Sequence, residues 1–151
     1  MRRALSTTRL WALAILALVA VGIVAATGEQ DSDPMARLAV ERYEEIQRVL
    51  SNERDARIDE ATRRELARVD PARTGLVGTE WSGIVTTAGS LEAKRASASP
   101  GWVLVYRRWF EQLGLAPGDR IAINSSASFP ALFYAARVAA ESMGLECDAV
   151  M

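Results

Sequence analysis

The chain has 151 residues, with 18 basic and 19 acidic side chains, one cysteine and no histidine, and a formal net charge of −1. Without histidine the commonest general base is missing, and neither a Ser-His-Asp nor a Cys-His arrangement can be built from these residues; a lone cysteine allows no internal disulfide and no thiolate zinc site. The first 28 residues hold three arginines and no acid, so the remainder carries 15 basic and 19 acidic side chains, a charge of −4, which excludes the concentrated positive field that nucleic acid or bulk capture of a polyanion requires.

The run from Leu10 to Ala26 is apolar and uncharged, preceded by Arg2, Arg3 and Arg9 and followed by Glu29, Asp31 and Asp33. Its 17 residues, extended by Thr27 and Gly28, sit at the lower edge of what a helix needs to cross a hydrocarbon core. The charge asymmetry predicts a single-pass anchor with residues 1–9 in the cytoplasm and the bulk of the chain outside. A secretory signal cleaved near Val24-Ala25-Ala26, giving a secreted or periplasmic protein, is the alternative. The resulting division is a basic N-terminus at 1–9, an anchor or signal at 10–28, a polar linker at 29–33 and an extracytoplasmic α/β domain at 34–151.

Asp33 and Pro34 form a helix start, a capping carboxylate followed by a residue whose missing N–H costs nothing in the first turn. Met35, Leu38, Ala39, Ile46, Val49 and Leu50 recur at spacings of three and four, predicting an amphipathic helix from about Pro34 to Leu50. That face is expected to pack on its own domain, with a partner-binding helix near the membrane as the other reading. Ser51-Asn52 is expected to interrupt the helix, and Asp59 to Val69 forms a second one that stops before Pro71. From Asp70 to Gly101 the periodicity disappears into a stretch dense in Gly, Ser and Thr, broken by a short helical piece at Leu91–Ala96. Long ordered loops are disproportionately functional, so Thr74, Gly75, Thr86 and Thr87 are candidate ligand contacts. Neither GxxxxGK[ST] nor GxGxxG is present, and no cofactor is expected. Lys94 and Arg95 read either as a solvated helix end or as a pair binding carboxylate or phosphate.

Trp102, Val103, Val105, Tyr106, Trp109, Phe110 and Leu113 form a helical stripe that Gly114 ends. A turn through Pro117-Gly118-Asp119 leads to a short strand, Ile121–Asn124. A helix from Phe129 or Pro130 to Met143 follows, closed by Gly144, and Cys147–Met151 begins another strand. Strand, crossover helix and strand make the unit of a parallel α/β sheet. Ligands of such sheets gather at the carboxyl ends of the strands, which makes Asn124, Ser125, Ser126 and Ser128 the best local candidates for a site. Catalysis by these serines lacks both the GxSxG elbow and a histidine to activate the hydroxyl. Metal ligands and catalytic residues are assigned to no position.

Four stretches in one order carry a resemblance. They are Asp70-Pro71-x-x-Thr74-Gly75-Leu76-Val77-Gly78, Thr86-Thr87-x-Gly89-x-Leu91-Glu92-Ala93-Lys94-Arg95, Pro117-Gly118-Asp119-Arg120-Ile121-Ala122 and Ser128-Phe129-Pro130-Ala131. Over about half the chain they resemble the poly-gamma-glutamate system protein family, which accompanies the bacterial machinery that makes and exports this polymer. The resemblance implies a membrane-anchored accessory protein of the cell envelope whose partners are the synthesis and export subunits. It also implies that 34–151 is an incomplete α/β domain, since the family continues further. The alternatives are an exported hydrolase or transferase with the 125–128 loop in its site, and a small-ligand-binding envelope domain.

Overall fold

In the computed structural model, residues 33–78, 90–125 and 128–150 are described. The apolar run at 10–26, and with it the expected anchor or signal, lies outside them. Among the described residues no helix is long and apolar enough to cross a membrane. The architecture of the described residues is mixed α and β, five helices and a two-stranded parallel sheet.

Helix α1, Pro34–Arg57, starts as its first residues dictate: Asp33 Oδ1 accepts the Met35 N–H at 2.9 Å and Pro34 takes the first turn. It continues through Ser51-Asn52, seven residues beyond the expected end, and finishes with Arg54 and Arg57 in its last turn, where the helix dipole favours cations. Its buried face is Ala36, Ala39, Tyr43, Gln47 and Ser51, rotated away from the one that apolar spacing picks out. Ala39 is buried, and Ile46 and Leu50 pack partly against the core, but Met35, Leu38 and Val49 are exposed. Two polar side chains account for the rotation because each finds a partner inside. The Tyr43 hydroxyl donates to the Ala131 carbonyl at 3.1 Å, and Gln47 Nε2 donates to the Ala98 carbonyl at 2.7 Å.

Helix α2, Glu60–Val69, is capped by Asp59, whose Oδ1 accepts the Thr62 N–H at 2.7 Å. That bond holds the Asp59 carboxyl below its usual range. Helix α3, Leu91–Ser97, is capped by Ser90, and a tight turn through Ser99-Pro100 leads into α4, Gly101–Gln112. Of the expected α4 stripe only Val103 is fully buried. Tyr106 and Phe110 are half-buried, and Trp109 and Leu113 face outward. The turn deeper in α4 carries Arg107, which is buried. Its Nη1 donates to Ser142 Oγ at 2.7 Å and its Nη2 to Asp33 Oδ2 at 2.6 Å, tying α4 to the end of α5 and to the cap of α1.

Strand β1, Arg120–Asn124, helix α5, Pro130–Ser142, and strand β2, Glu146–Val150, form the expected parallel unit, with Arg120 opposite Glu146 and Asn124 opposite Val150. Gly114 and Gly144 end α4 and α5 with positive φ, as their places in the sequence predict. The Asp119 carboxylate accepts the Ala116 N–H at 2.7 Å, which sets the turn before β1. Backbone bonds from Gly118 N to Gly144 O and from Glu146 N to Asp119 O start both strands in register. Helix α5 is central, in contact with α1, α4 and both strands. Its Ala131, Ala135, Ala136, Ala139 and Ala140 are buried, and such small side chains let neighbouring helices approach closely.

Burial of Tyr43 pushes its phenol up to about 12 from an ordinary value of 10.0. The unfolded chain therefore loses this proton first as pH rises, so the stabilisation is complete below pH 10 and is lost between pH 10 and about 12. Urea unfolding at about pH 9 and about pH 11.5 should show a loss of about 2 kcal/mol attributable to Tyr43. Tyr43→Phe should abolish that part of the loss, leaving a smaller one from Tyr106, which burial also raises. At the lower pH the Phe variant should itself be about 1 kcal/mol less stable, because the Ala131 carbonyl loses its donor.

Candidate functional site

The carboxyl end of β1 opens into a cleft of about 480 Å³. Asn124 and Ser125 leave the strand into it, while Tyr106 and Phe110 of α4 and Phe129 and Phe133 around the start of α5 supply aromatic walls. This is where the strand-helix-strand order places a ligand. Ser125 N donates to Val150 O, holding the loop against β2, and Ser128 is half-buried just before α5. Ser126 lies outside the described residues. Among the described lining residues the only side chain that titrates is Tyr106, whose phenol is raised by burial and stays protonated at neutral pH. The cleft is therefore suited to holding a flat or apolar group, with Asn124 and Ser125 as polar contacts.

Thr74 and Gly75 belong to a turn built around one carboxylate. Asp70 ends α2 and is 1 % exposed. Its Oδ1 accepts the Thr74 N–H at 3.0 Å and the Thr74 hydroxyl at 3.1 Å, and its Oδ2 accepts the Gly75 N–H at 2.9 Å and Arg54 Nη1 at 3.0 Å. The Thr74 oxygen in turn accepts the Leu76 N–H at 3.2 Å. Four donors on one buried carboxylate satisfy it completely, which is what makes such burial tolerable. Gly75, at φ +73, packs against α1 so closely that a Cβ there would lie 2.5 Å from Ser51 N and 2.7 Å from the Leu50 carbonyl carbon. The chemistry of this pair is thus directed inward, although Thr74 also borders a second cleft. Thr86 and Thr87 lie outside the described residues.

Lys94 and Arg95 differ in exposure. Lys94 is buried, at 7 % exposure, which corrects the expectation of a solvated helix end. Arg95 is exposed, with Nε donating to the Val69 carbonyl at 2.8 Å and Nη2 to the Arg68 carbonyl at 2.7 Å. It caps the carbonyl end of α2, a natural place for a cation.

Arg95 has other company. A surface cleft of about 400 Å³ runs between α1, the Asp70 turn and the α3–α4 junction. Arg48, Arg73 and Arg95 line it beside Gln47, Thr74 and Ser99, and among the described lining residues the only acid is Glu44. Arg95 is held in place by its two carbonyls, and Arg73 is positioned by Asp55, at 2.8 Å, while its side chain stays 64 % exposed. A guanidinium matches carboxylate or phosphate oxygens in geometry as well as charge, and the donors that Arg73 and Arg95 do not spend on Asp55 and on the two carbonyls are what the cleft offers. No spacing rule connects Arg48, Arg73 and Arg95, so two of the three escape a reading of the sequence. Among the described residues no cluster of His, Cys, Asp or Glu could hold a metal ion.

Gly75→Ala should destabilise the protein by at least about 2 kcal/mol, from left-handed backbone strain together with contact against the α1 backbone. Gly118→Ala makes the control for strain alone, since it also has positive φ but nothing lies within 4 Å of its added Cβ; thermal unfolding of the two should separate the terms, with the Gly75 variant the less stable. Comparison with protein-family models, with curated proteins and with solved structures finds no match to this chain.

Proposed function

We propose that this is an accessory protein of the bacterial cell envelope that supports synthesis or export of poly-gamma-glutamate. In this reading residues 10–28 tether it to the cytoplasmic membrane and the α/β domain, outside, engages a few carboxylates of the polymer. The observation that carries the reading is the cleft of Arg48, Arg73 and Arg95, in which Glu44 is the only acid among the described lining residues and Asp55, outside it, pairs with Arg73, on a domain whose formal charge is otherwise negative. Such a cleft suits a short carboxylate-bearing segment or chain end, whereas the overall charge disfavours wholesale adsorption of a polyanion. The four motif stretches supply the pathway, and the Asp70 turn gives one of them a physical purpose, since it sets Arg73 and Thr74 at the border of the cleft.

Binding of a short gamma-linked glutamate oligomer to the full chain in detergent micelles tests the reading. Replacing two cations, Arg48→Glu with Arg73→Gln, should raise Kd by at least about tenfold, as should added salt. Thermal stability should fall by no more than about 5 °C, because both arginines are exposed and Asp55, which loses Arg73, keeps its contact with Arg54. Unchanged binding would remove the carboxylate site.

A second reading, favoured by the aromatic cleft at the end of β1, is an envelope domain for a small ligand, and a thermal-shift screen with glutamate and nucleotides addresses it. The exported hydrolase or transferase is separated genetically. If the protein is accessory, deletion of its gene should lower polymer output, and Ser126→Ala and Ser128→Ala should restore it. Cleavage or transfer activity that vanishes in those variants would instead support the enzyme.

A further inference from the structure

Helix α1 presents a second face to solvent, opposite the one it buries. Leu38 is 56 % and Val49 54 % exposed, and between them Arg42 and Glu45 have side chains 63 % and 55 % exposed. Their spacings of four, three and four place all four on one stripe. The spacing is palindromic and the chemistry, running apolar, cation, anion, apolar, is complementary to its own reverse. Laid against itself in the opposite direction, with the two-fold axis between Tyr43 and Glu44, the stripe sets Leu38 on Val49 and Arg42 on Glu45, each pair twice. A two-fold contact requires this self-complementarity. The Arg42–Glu45 contact within one helix, at 3.3 Å, is an exposed pair that contributes little by itself, so both side chains can be shared with a facing copy. Met35 and half-buried Ile46 extend the apolar margin.

We propose that this stripe is a docking surface for a second copy of the chain, with the two α1 helices antiparallel and Arg42 of each copy paired with Glu45 of the other. A single helix pair buries less than a standard interface, so the association is weak, with a Kd on the order of 10–100 μM. The inference is independent of the polymer reading.

Sedimentation equilibrium of the full chain in detergent micelles, over a concentration range spanning that Kd, tests it through charge reversal. Arg42→Glu sets like charges opposite one another at both ionic contacts, and so does Glu45→Arg, so each variant should dimerise at least about tenfold more weakly. An equimolar mixture of the two should associate as a heterodimer, and Arg42→Glu combined with Glu45→Arg in one chain should regain self-association. Thermal unfolding of each variant confirms folding. Orientation is read by oxidative cross-linking in a Cys147→Ser background. Leu38→Cys mixed with Val49→Cys should give the cross-linked heterodimer, while Leu38→Cys alone should not cross-link, its two copies lying about 16 Å apart along the axis. A protein that stays monomeric, single reversals that dimerise unchanged, a mixture or double reversal that regains nothing, or a dominant 38-to-38 cross-link would each overturn the proposal.

Discussion

The carboxylate of Asp70 is the constraint on which the rest of the domain depends. An isolated buried charge is expensive, and this one is tolerable because two backbone N–H groups, a hydroxyl and a guanidinium converge on it. Satisfying those donors folds the chain back sharply after α2, presses Gly75 onto the backbone of α1 and sends Leu76 and Val77 into the core. The same turn puts Arg73 beside Asp55 and leaves Arg68 and Val69 with carbonyls that Arg95 takes up. One local charge thus ties the last turns of α1 to the end of α2 and sets Arg73 and Thr74 at the edge of the basic cleft.

Segments whose structure follows from local chemistry were legible in the sequence. Asp33-Pro34 and Asp59 start helices, Gly114 and Gly144 end them, and the alternation of strand, helix and strand yields the parallel pair with Asn124 and Ser125 at its carboxyl end. What stayed hidden depends on partners distant in sequence. Tyr43 and Gln47 count as polar when periodicity is scored, yet carbonyls of Ala131 and Ala98 make them interior residues and turn α1 about its axis. Ser51 looked like a helix breaker but lies on the buried face of α1, its backbone N facing Gly75. Arg107 is buried beside the apolar stripe of α4 for the same kind of reason.

The candidate surfaces divide along similar lines. The position of the aromatic cleft follows from topology, because ligand crevices of parallel sheets lie outside the carboxyl ends of the strands. The basic cleft is an accident of assembly as far as local sequence goes, since it draws one arginine each from a helix, a turn and a short helix that meet only in the folded chain. The two differ in chemistry as well as origin, one enclosing rings and the other cations.

The clamp between Arg107 and Asp33 also has a mechanical meaning. Asp33 is at once the cap of α1 and a partner of a buried guanidinium that also grips the end of α5. A pull on the chain ahead of residue 33 is therefore met first by this ionic clamp, which spreads the load over α4 and α5 and protects the first turn of α1 from being peeled open.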